Sequence, residues 1–387
     1  MKIFKKVMIG LSIIVVAAIL LISLVFLYFW PNEDKIFNYI KENPDKTAIK
    51  IIRNGEVFAD YNSNKMMTLG STFKIIVAVE YAIQAANGII DPSEMISFST
   101  LEKYNAGNTN GGAHDMWVES IKNNSKNNKI SIREVARGMI AYSSNANTEW
   151  LTDKLGQENI NNRFDRLGIK DHSNIYYIVS SIFVAKENYP DLRDEKLVKA
   201  VKTLSDKEYI ETINQIHRKL KRKKIDKNNI GDGIKKNVDL QKVWSDRLPA
   251  STVNEYTGLM RKINSRAYFD SKTQGYLEEA MAWEIDSIFG APPKQIKYSG
   301  MKSGITAFVL TRAVYATDNN GNQTEIAYFF NELGNKTFTI NMASTKLSLK
   351  LLQLKHSQGK FDEAIMKDEE FRRKIKKHFL MSSNNYN

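Results

Sequence analysis

From Ser71 the chain reads STFKIIVAVEYAIQAANG, a stretch of helical length with apolar residues on nearly every side. A helix of that kind has no face to offer to water, so it belongs in the middle of a folded unit with other elements packed round it. Gly88 is placed to end it as a C-cap, and Asp91-Pro92 prevents its resumption. The enclosing layers must come from both sides in sequence. Upstream, Thr47 to Tyr61 reads as two strands joined by Asn54-Gly55, a strong hairpin signal. Downstream, Gln295 to Met301, Ala307 to Ala316 and Thr324 to Phe330 are strand-like, with Asp318-Asn-Asn-Gly-Asn322 as the last turn. Ser344 to Lys355 reads as a helix against them, and a charged helical tail covers 361 to 379. The expectation is an α+β fold: one antiparallel sheet assembled from both chain ends, with the central helices as a separate lobe.

Within that middle, Ser131-Ile-Arg-Glu134 and Thr252-Val-Asn-Glu255 have the spacing of capping boxes. Tyr142 to Asn147 is a polar turn between two helices. Residues 185 to 247 are highly charged, with Leu220 the one apolar residue between Arg218 and Lys224, and read as a helical insertion with sparse apolar positions.

At the other extreme, no residue from Val7 to Trp30 is charged, and Lys2, Lys5 and Lys6 precede the run. At about 1.5 Å per residue it is long enough to cross a ~30 Å hydrocarbon layer. It ends in Phe26-Leu27-Tyr28-Phe29-Trp30-Pro31, bulky where a signal-peptide cleavage site needs small residues. The pattern predicts an uncleaved, single-pass membrane anchor over 1–31, with its basic end in the cytoplasm and residues 32–387 outside. That location bears on the net charge of +13, most of which lies beyond the anchor. Outside the cell membrane, nucleic acid is an improbable partner, and anionic wall polymers or lipid headgroups are more natural ones. Cysteine is absent, which excludes a thiol nucleophile and thiolate metal sites. The five histidines show no metal-binding spacing, so no metal and no cofactor is expected.

Three short motifs bear on chemistry. Ser71-Thr-Phe-Lys74 opens the buried helix, Ser143-Ser-Asn145 lies in the interhelical turn, and Lys302-Ser-Gly304 ends a strand. Ser-x-x-Lys alone is cheap, since Ser299 to Lys302 has it too; order and setting join the three. Residues i and i+3 share a helix face, so Lys74 can reach Ser71. A desolvated lysine facing a second cation has a lowered pKa, and its neutral amine can activate a serine. Ser143 is placed to relay a proton and Asn145 to hold substrate backbone. Lys302 would bring positive charge toward Ser143 and a substrate carboxylate, Ser303 would bind that carboxylate, and Gly304 would permit close approach to the strand.

In this order the set resembles the Ser-x-x-Lys, Ser-x-Asn and Lys-(Ser/Thr)-Gly signature of the penicillin-recognising serine hydrolases, which comprise serine β-lactamases and penicillin-binding D,D-peptidases. The resemblance runs from about Asp34 to Lys355, without the insertion. It implies a five-stranded antiparallel sheet with flanking helices beside an all-helical lobe. It also implies Ser71 as the acylated nucleophile, Lys74 as its base partner, Ser143 as proton shuttle, Asn145 as a substrate and lysine contact, and Lys302 and Ser303 as the third motif. The backbone N–H groups of Ser71 and Ile305 would form the oxyanion hole.

Two departures shape the expected activity. Ser144 stands where class A β-lactamases usually carry aspartate. Their Glu-x-x-Leu-Asn loop, whose glutamate activates the deacylating water, has no counterpart: Gly168 to Phe183 contains no glutamate, and Glu187 lies in an unrelated context. The leading expectation is a membrane-anchored hydrolase acylated at Ser71 by a β-lactam or a cell-wall peptide or ester. The alternatives are a true β-lactamase with another water activator, and a non-catalytic penicillin-binding sensor or wall-binding module.

Overall fold

The computed structural model describes residues 2–106, 109–122, 127–225, 234, 237–282, 292–333, 339–342 and 345–380. The apolar run forms α1 (Lys2–Phe29), of which Val7–Phe29, 23 residues, is long and apolar enough to cross a membrane. Asn32 then caps α2 (Glu33–Glu42), its side chain accepting the Asp34 N–H at 2.7 Å. Strands β1 (Thr47–Arg53) and β2 (Glu56–Tyr61) make the expected hairpin. Asn54 and Gly55 both take left-handed φ, 51° and 82°, as a type I′ turn demands.

The central helix is α3 (Lys74–Ala86), in which only Ile83 and Ala86 escape full burial. Gly88 stops it with φ 69°, a value a side chain would resist. Round it pack α4 (Ala113–Ile121), α5 (Ile132–Ala141), α6 (Asn145–Leu155), the insertion helices α7 (Asp194–Thr203), α8 (Asp206–Lys221) and α9 (Val238–Asp246), then α10 (Val253–Asn264) and α11 (Ser271–Met281). The chain closes with β3 (Ile296–Ile305), β4 (Leu310–Asp318), β5 (Gln323–Phe330), α12 (Leu349–Lys367) and α13 (Glu369–Phe379).

The five strands form one antiparallel sheet in the order β2-β1-β5-β4-β3. Ile49, Ile51, Val314, Ile326 and Tyr328 face α2, α12 and α13, while Ala48, Ala313, Tyr315, Ala327 and Phe329 join the core of the helical lobe. Burial on both faces explains why these strands read as nearly continuous apolar runs. The sheet assembled from both chain ends, and the helical lobe beside it, agree with the sequence pattern.

Three details differ. The insertion is helical, but it is built into the lobe: Leu197, Val201, Tyr209, Ile213, Ile216, Leu220, Leu240 and Val243 are buried in the same core as α3. Charge density had hidden a helical stripe, Tyr209, Ile213, Ile216 and Leu220, on α8. Ser131 and Thr252 do cap α5 and α10, yet neither glutamate closes a box: the Glu134 carboxylate accepts from Arg137, and that of Glu255 accepts the Lys170 and Asp171 N–H groups. The reciprocal box is Ser205–Glu208, at the start of α8. Finally, α12 begins at Leu349 under a Ser348 cap and runs through Gly359 to Lys367, a helix interior tolerating one glycine at a cost of about 1 kcal/mol. Strand Thr345–Ser348 precedes it, and Ser344 lies outside the described residues.

Candidate active site

Ser71 sits half-buried in a 3-10 turn, Gly70–Phe73, that runs directly into α3. The turn is pressed against the end of β3. A Cβ on Gly304 would lie 2.0 Å from the Leu69 carbonyl oxygen, 2.4 Å from Thr311 Oγ1 and 2.6 Å from the Ser71 nitrogen. A Cβ on Gly70, whose φ is +54°, would lie 3.1 Å from the Ile305 nitrogen. Two glycines thus bring the backbone of Ser71 beside that of Gly304 and Ile305. The space over Gly304 is filled by this chain's own turn, where the sequence suggested room for substrate. Thr311, paired with Gly304 across the β3–β4 ladder, fastens the contact by donating to the Leu69 carbonyl at 2.6 Å and meeting the Thr72 hydroxyl at 2.7 Å.

The second motif approaches from the lobe. Ser143 has φ 61°, a left-handed value that is costly for serine and marks a constrained turn. Its neighbour Ser144 is fully buried and caps α6 by accepting the Asn147 N–H at 3.2 Å. The Ser144 Oγ also lies 2.8 Å from His114 Nδ1, and His114 Nε2 lies 3.0 Å from Glu102 Oε1. Ser144 is therefore a structural post, held from two sides.

Lys74 joins the two motifs. Its Nζ donates to the Ser143 carbonyl at 2.8 Å, to Ser143 Oγ at 3.2 Å and to Asn145 Oδ1 at 2.7 Å. Ser71 is not among its partners, although the i, i+3 spacing had suggested it. Lys74 is fully buried, and that burial pulls its pKa well below the lysine range. Lys302, on β3, is also fully buried. Desolvation first, then the charges of Lys74 and Arg312, lower its pKa as well. Burial thus favours the neutral amine in both lysines, and at Lys302 the charges of Lys74 and Arg312 add to it.

Ser303 faces the other side of β3. It stands opposite Arg312, which donates to Ser303 Oγ at 3.1 Å and is held by Asp362 on α12 at 2.5 Å, with both charged side chains fully buried. Arg312 and Thr311 were not singled out from the sequence. The available signal was an arginine inside the apolar run Ala307 to Ala316.

A third unforeseen group lies one turn along α6 from Asn145. Glu149 is fully buried and accepts from the Val179 N–H at 2.8 Å, the Ser180 hydroxyl and His217 Nδ1 at 2.9 Å. His217 belongs to the insertion. It lies between the rings of Tyr177 and Tyr104, at centroid distances of 3.6 and 5.5 Å, and its Nε2 is 3.2 Å from Asp153. Glu149 thus ties the loop 168–183 and the insertion to the helix that carries Asn145. Glu187 is paired with Lys219 at 2.6 Å on the outside of the lobe. Among the described residues, no group of three or more histidines and carboxylates is placed to hold a metal ion.

The arrangement sets a hydroxyl at the mouth of a buried helix, a low-pKa amine behind it, a second hydroxyl on that amine, and a 3-10 turn whose backbone meets that of a strand at two glycines. This is equipment for acyl transfer through an oxyanion. A model of the beta-lactamase enzyme family matches residues 31–287, and no curated protein matches the sequence. Among solved structures, the TLA-3 extended-spectrum beta-lactamase is 13% identical, with a TM-score of 0.50 over 84% of this chain and 98% of its own. A beta-lactamase from Chitinophaga pinensis is 13% identical, with a TM-score of 0.49 over 86% and 99%. A point mutant of PBP-A, solved as an acyl-enzyme complex with penicillin G, is 12% identical, with a TM-score of 0.47 over 86% and 95%. At these identities the likeness is one of fold. The family match ends before β3. The chain belongs to the beta-lactamase enzyme family, within the superfamily of penicillin-recognising serine hydrolases.

Proposed function

We propose that this chain is a membrane-anchored serine acyl hydrolase whose Ser71 is acylated by β-lactams and by a cell-wall peptide or ester. The observation that carries the reading is the position of Lys74: one buried amine hydrogen-bonded to both Ser143 and Asn145, three residues from Ser71. In the proposed reaction Ser71 Oγ attacks the acyl carbon as its proton passes to neutral Lys74. The oxyanion is met by the N–H groups of Ser71 and Ile305, and Ser143 Oγ, on Lys74, hands a proton to the leaving group. Lys302 supplies positive charge to a substrate carboxylate and Asn145 shapes the subsite, while Ser303 and Gly304 act from behind it, Ser303 through its bond to Arg312 and Gly304 by seating the Ser71 turn.

Deacylation is the weak step in this scheme. The loop 168–183 offers no glutamate, its one carboxylate, Asp171, is exposed, and Glu149 is occupied by three donors, which leaves it poorly suited to activate water. Incubation with a labelled penicillin should modify Ser71 stoichiometrically, and nitrocefin should give a burst followed by slow turnover. An unmodified Ser71 across several β-lactams and D-Ala-D-Ala peptides would overturn the acylation. Sustained fast nitrocefin turnover would instead identify a true β-lactamase.

The anchor belongs to the same proposal. The C-terminal end of α1 is met by the folded domain, as a retained segment would be: Lys35 Nζ donates to the carbonyls of Tyr28 and Trp30 at 2.7 and 2.6 Å, and Gln353 donates to Tyr28 at 2.9 Å. Together with Lys2, Lys5 and Lys6 ahead of the run, this supports a single-pass protein with its catalytic unit, residues 32–387, outside the membrane. Alkaline extraction of membranes that leaves the full-length chain in the pellet is the expected result.

A further inference from the structure

The junction between α1 and the domain holds a group of cations that the acylation chemistry does not use. Gln353 donates to Tyr28, the Asn32 N–H donates to Ser357 Oγ at 3.3 Å, and the rings of Phe29 and His356 meet edge-on at 6.1 Å. The segment Gln353–Ser357 of α12 is thereby fixed at the height where the apolar helix ends. Four basic side chains gather there. Lys35 caps the carbonyls of Tyr28 and Trp30, Lys350 donates to Gln353 Oε1 at 3.2 Å and lies 5.6 Å from the Tyr39 ring, and Lys355 and His356 are half-buried and exposed on the same stretch of α12.

Among the described residues none of these four forms an ion pair. Of the two acidic residues that precede Lys35, Asp34 is taken by Lys374 at 2.5 Å, and Glu33 begins the same turn. The cations act on one another. Lys350 disfavours the charged form of Lys35, and Lys355 and Lys35 disfavour that of His356, after the burial that is the larger cause in both. Positive groups left together in this way are relieved by an anion.

We propose that Lys35, Lys350, Lys355 and His356 form a seat for the phosphate of an anionic phospholipid headgroup in the leaflet from which α1 emerges. The inference rests on the reading of α1 as a retained anchor. Given that reading, the aromatic cluster Tyr28-Phe29-Trp30 lies at the membrane interface. The four cations then lie in the headgroup layer, below the reach of a wall polymer approaching from outside. Juxtamembrane lysines of this kind contribute a few-fold preference each for anionic lipid.

The test uses the full-length chain in nanodiscs of equal phosphatidylcholine and phosphatidylglycerol, followed by extraction and mass spectrometry of the retained lipid. The wild type should retain phosphatidylglycerol preferentially, and Lys350→Gln and Lys355→Gln should each weaken that preference about fivefold. Lys350→Arg and Lys355→Arg should keep it. Acylation by labelled penicillin should be equal in all five proteins, which shows that the variants fold. Equal retention of both lipids by an intact, membrane-bound chain overturns the headgroup seat and leaves the anchor standing. A shortened chain released from the membrane overturns the anchor reading itself. Loss of the preference in inorganic phosphate, but not in chloride of matched ionic strength, overturns a lipid ligand in favour of free phosphate.

Discussion

Gly304→Ala is the sharpest perturbation of the proposed site, because the added methyl meets backbone on the Ser71 side. Its Cβ would lie 2.0 Å from the Leu69 carbonyl oxygen and 2.6 Å from the Ser71 nitrogen. Ordinary contact needs about 3.5 Å, so β3 and the Ser71 turn must separate by about 1 Å or more. Neither side yields easily. Thr311 grips the Leu69 carbonyl, and the Leu69 N–H is held by the Pro249 carbonyl at 2.9 Å. The separation moves the N–H of Ser71 away from that of Ile305. Removal of one oxyanion donor typically costs 10²- to 10³-fold, about 3–4 kcal/mol of transition-state stabilisation. The expected result is a fall of that size in the second-order rate of Ser71 acylation by a fluorescent penicillin. Overpacking should also cost about 1–3 kcal/mol of stability, read by thermal melting. Gly300→Ala is the matched control on the same strand: its Cβ would strike the Tyr315 ring at 2.4 Å and not the Ser71 turn. That variant should lose stability while keeping acylation. Acylation of Gly304→Ala within threefold of the wild type, or an equal loss in Gly300→Ala, would refute the proposed oxyanion hole.

Other outcomes test the surrounding network. Lys74→Met should lower acylation about 10²- to 10⁴-fold, the usual worth of a general base, and the rising limb of the wild-type pH–rate profile should fall well below pH 10.5 because burial lowers Lys74. Burial opposes charge on His217, but Asp153 and Glu149 outweigh it and raise its pKa above 6.5. The stabilisation from that pairing is therefore complete below about pH 6.5 and lost as pH climbs through the raised value. Thermal melts across that range should show the loss in wild type, and His217→Gln should flatten it. Asp362→Ala strands Arg312 in the core and should destabilise by about 3–5 kcal/mol in denaturant titration, whereas Arg312→Met with Asp362→Leu should recover most of that. Deletion of residues 194–246 should leave insoluble protein, since it removes Ile213, Ile216 and Leu220 from the shared core.

The parts of this molecule that were legible in its sequence are those written in local spacing. Asn54-Gly55 specifies a turn by the φ values it tolerates, Ser131 caps its helix within three residues, and α3 announces its burial by lacking a polar face. The three motifs were readable because their order survives in the chain even though their meeting place does not. What escaped were contacts made across the fold. Arg312 meets Ser303 only through strand register, and Thr311 matters only because it stands opposite Gly304. Glu149 and His217 are 68 positions apart, on elements whose periodicities say nothing about each other. The sparse apolar positions of the insertion conceal that every fourth or third residue of α8, from Tyr209 to Leu220, points inward.

The join between α1 and α2 bears on where such an enzyme could work. Only Trp30, Pro31 and Asn32 separate the two helices, and Lys35, Gln353 and Ser357 clamp even those. A flexible tether of some thirty residues would let a catalytic domain sweep a radius of about 30 Å. Here the tether has almost no length. With α1 seated in a bilayer, the mouth at Ser71 is carried at one altitude and one tilt, and only acyl donors presented at that level come into range. Lengthening the join with glycine and serine would then alter which donors are reached while leaving the rate on a small soluble β-lactam unchanged.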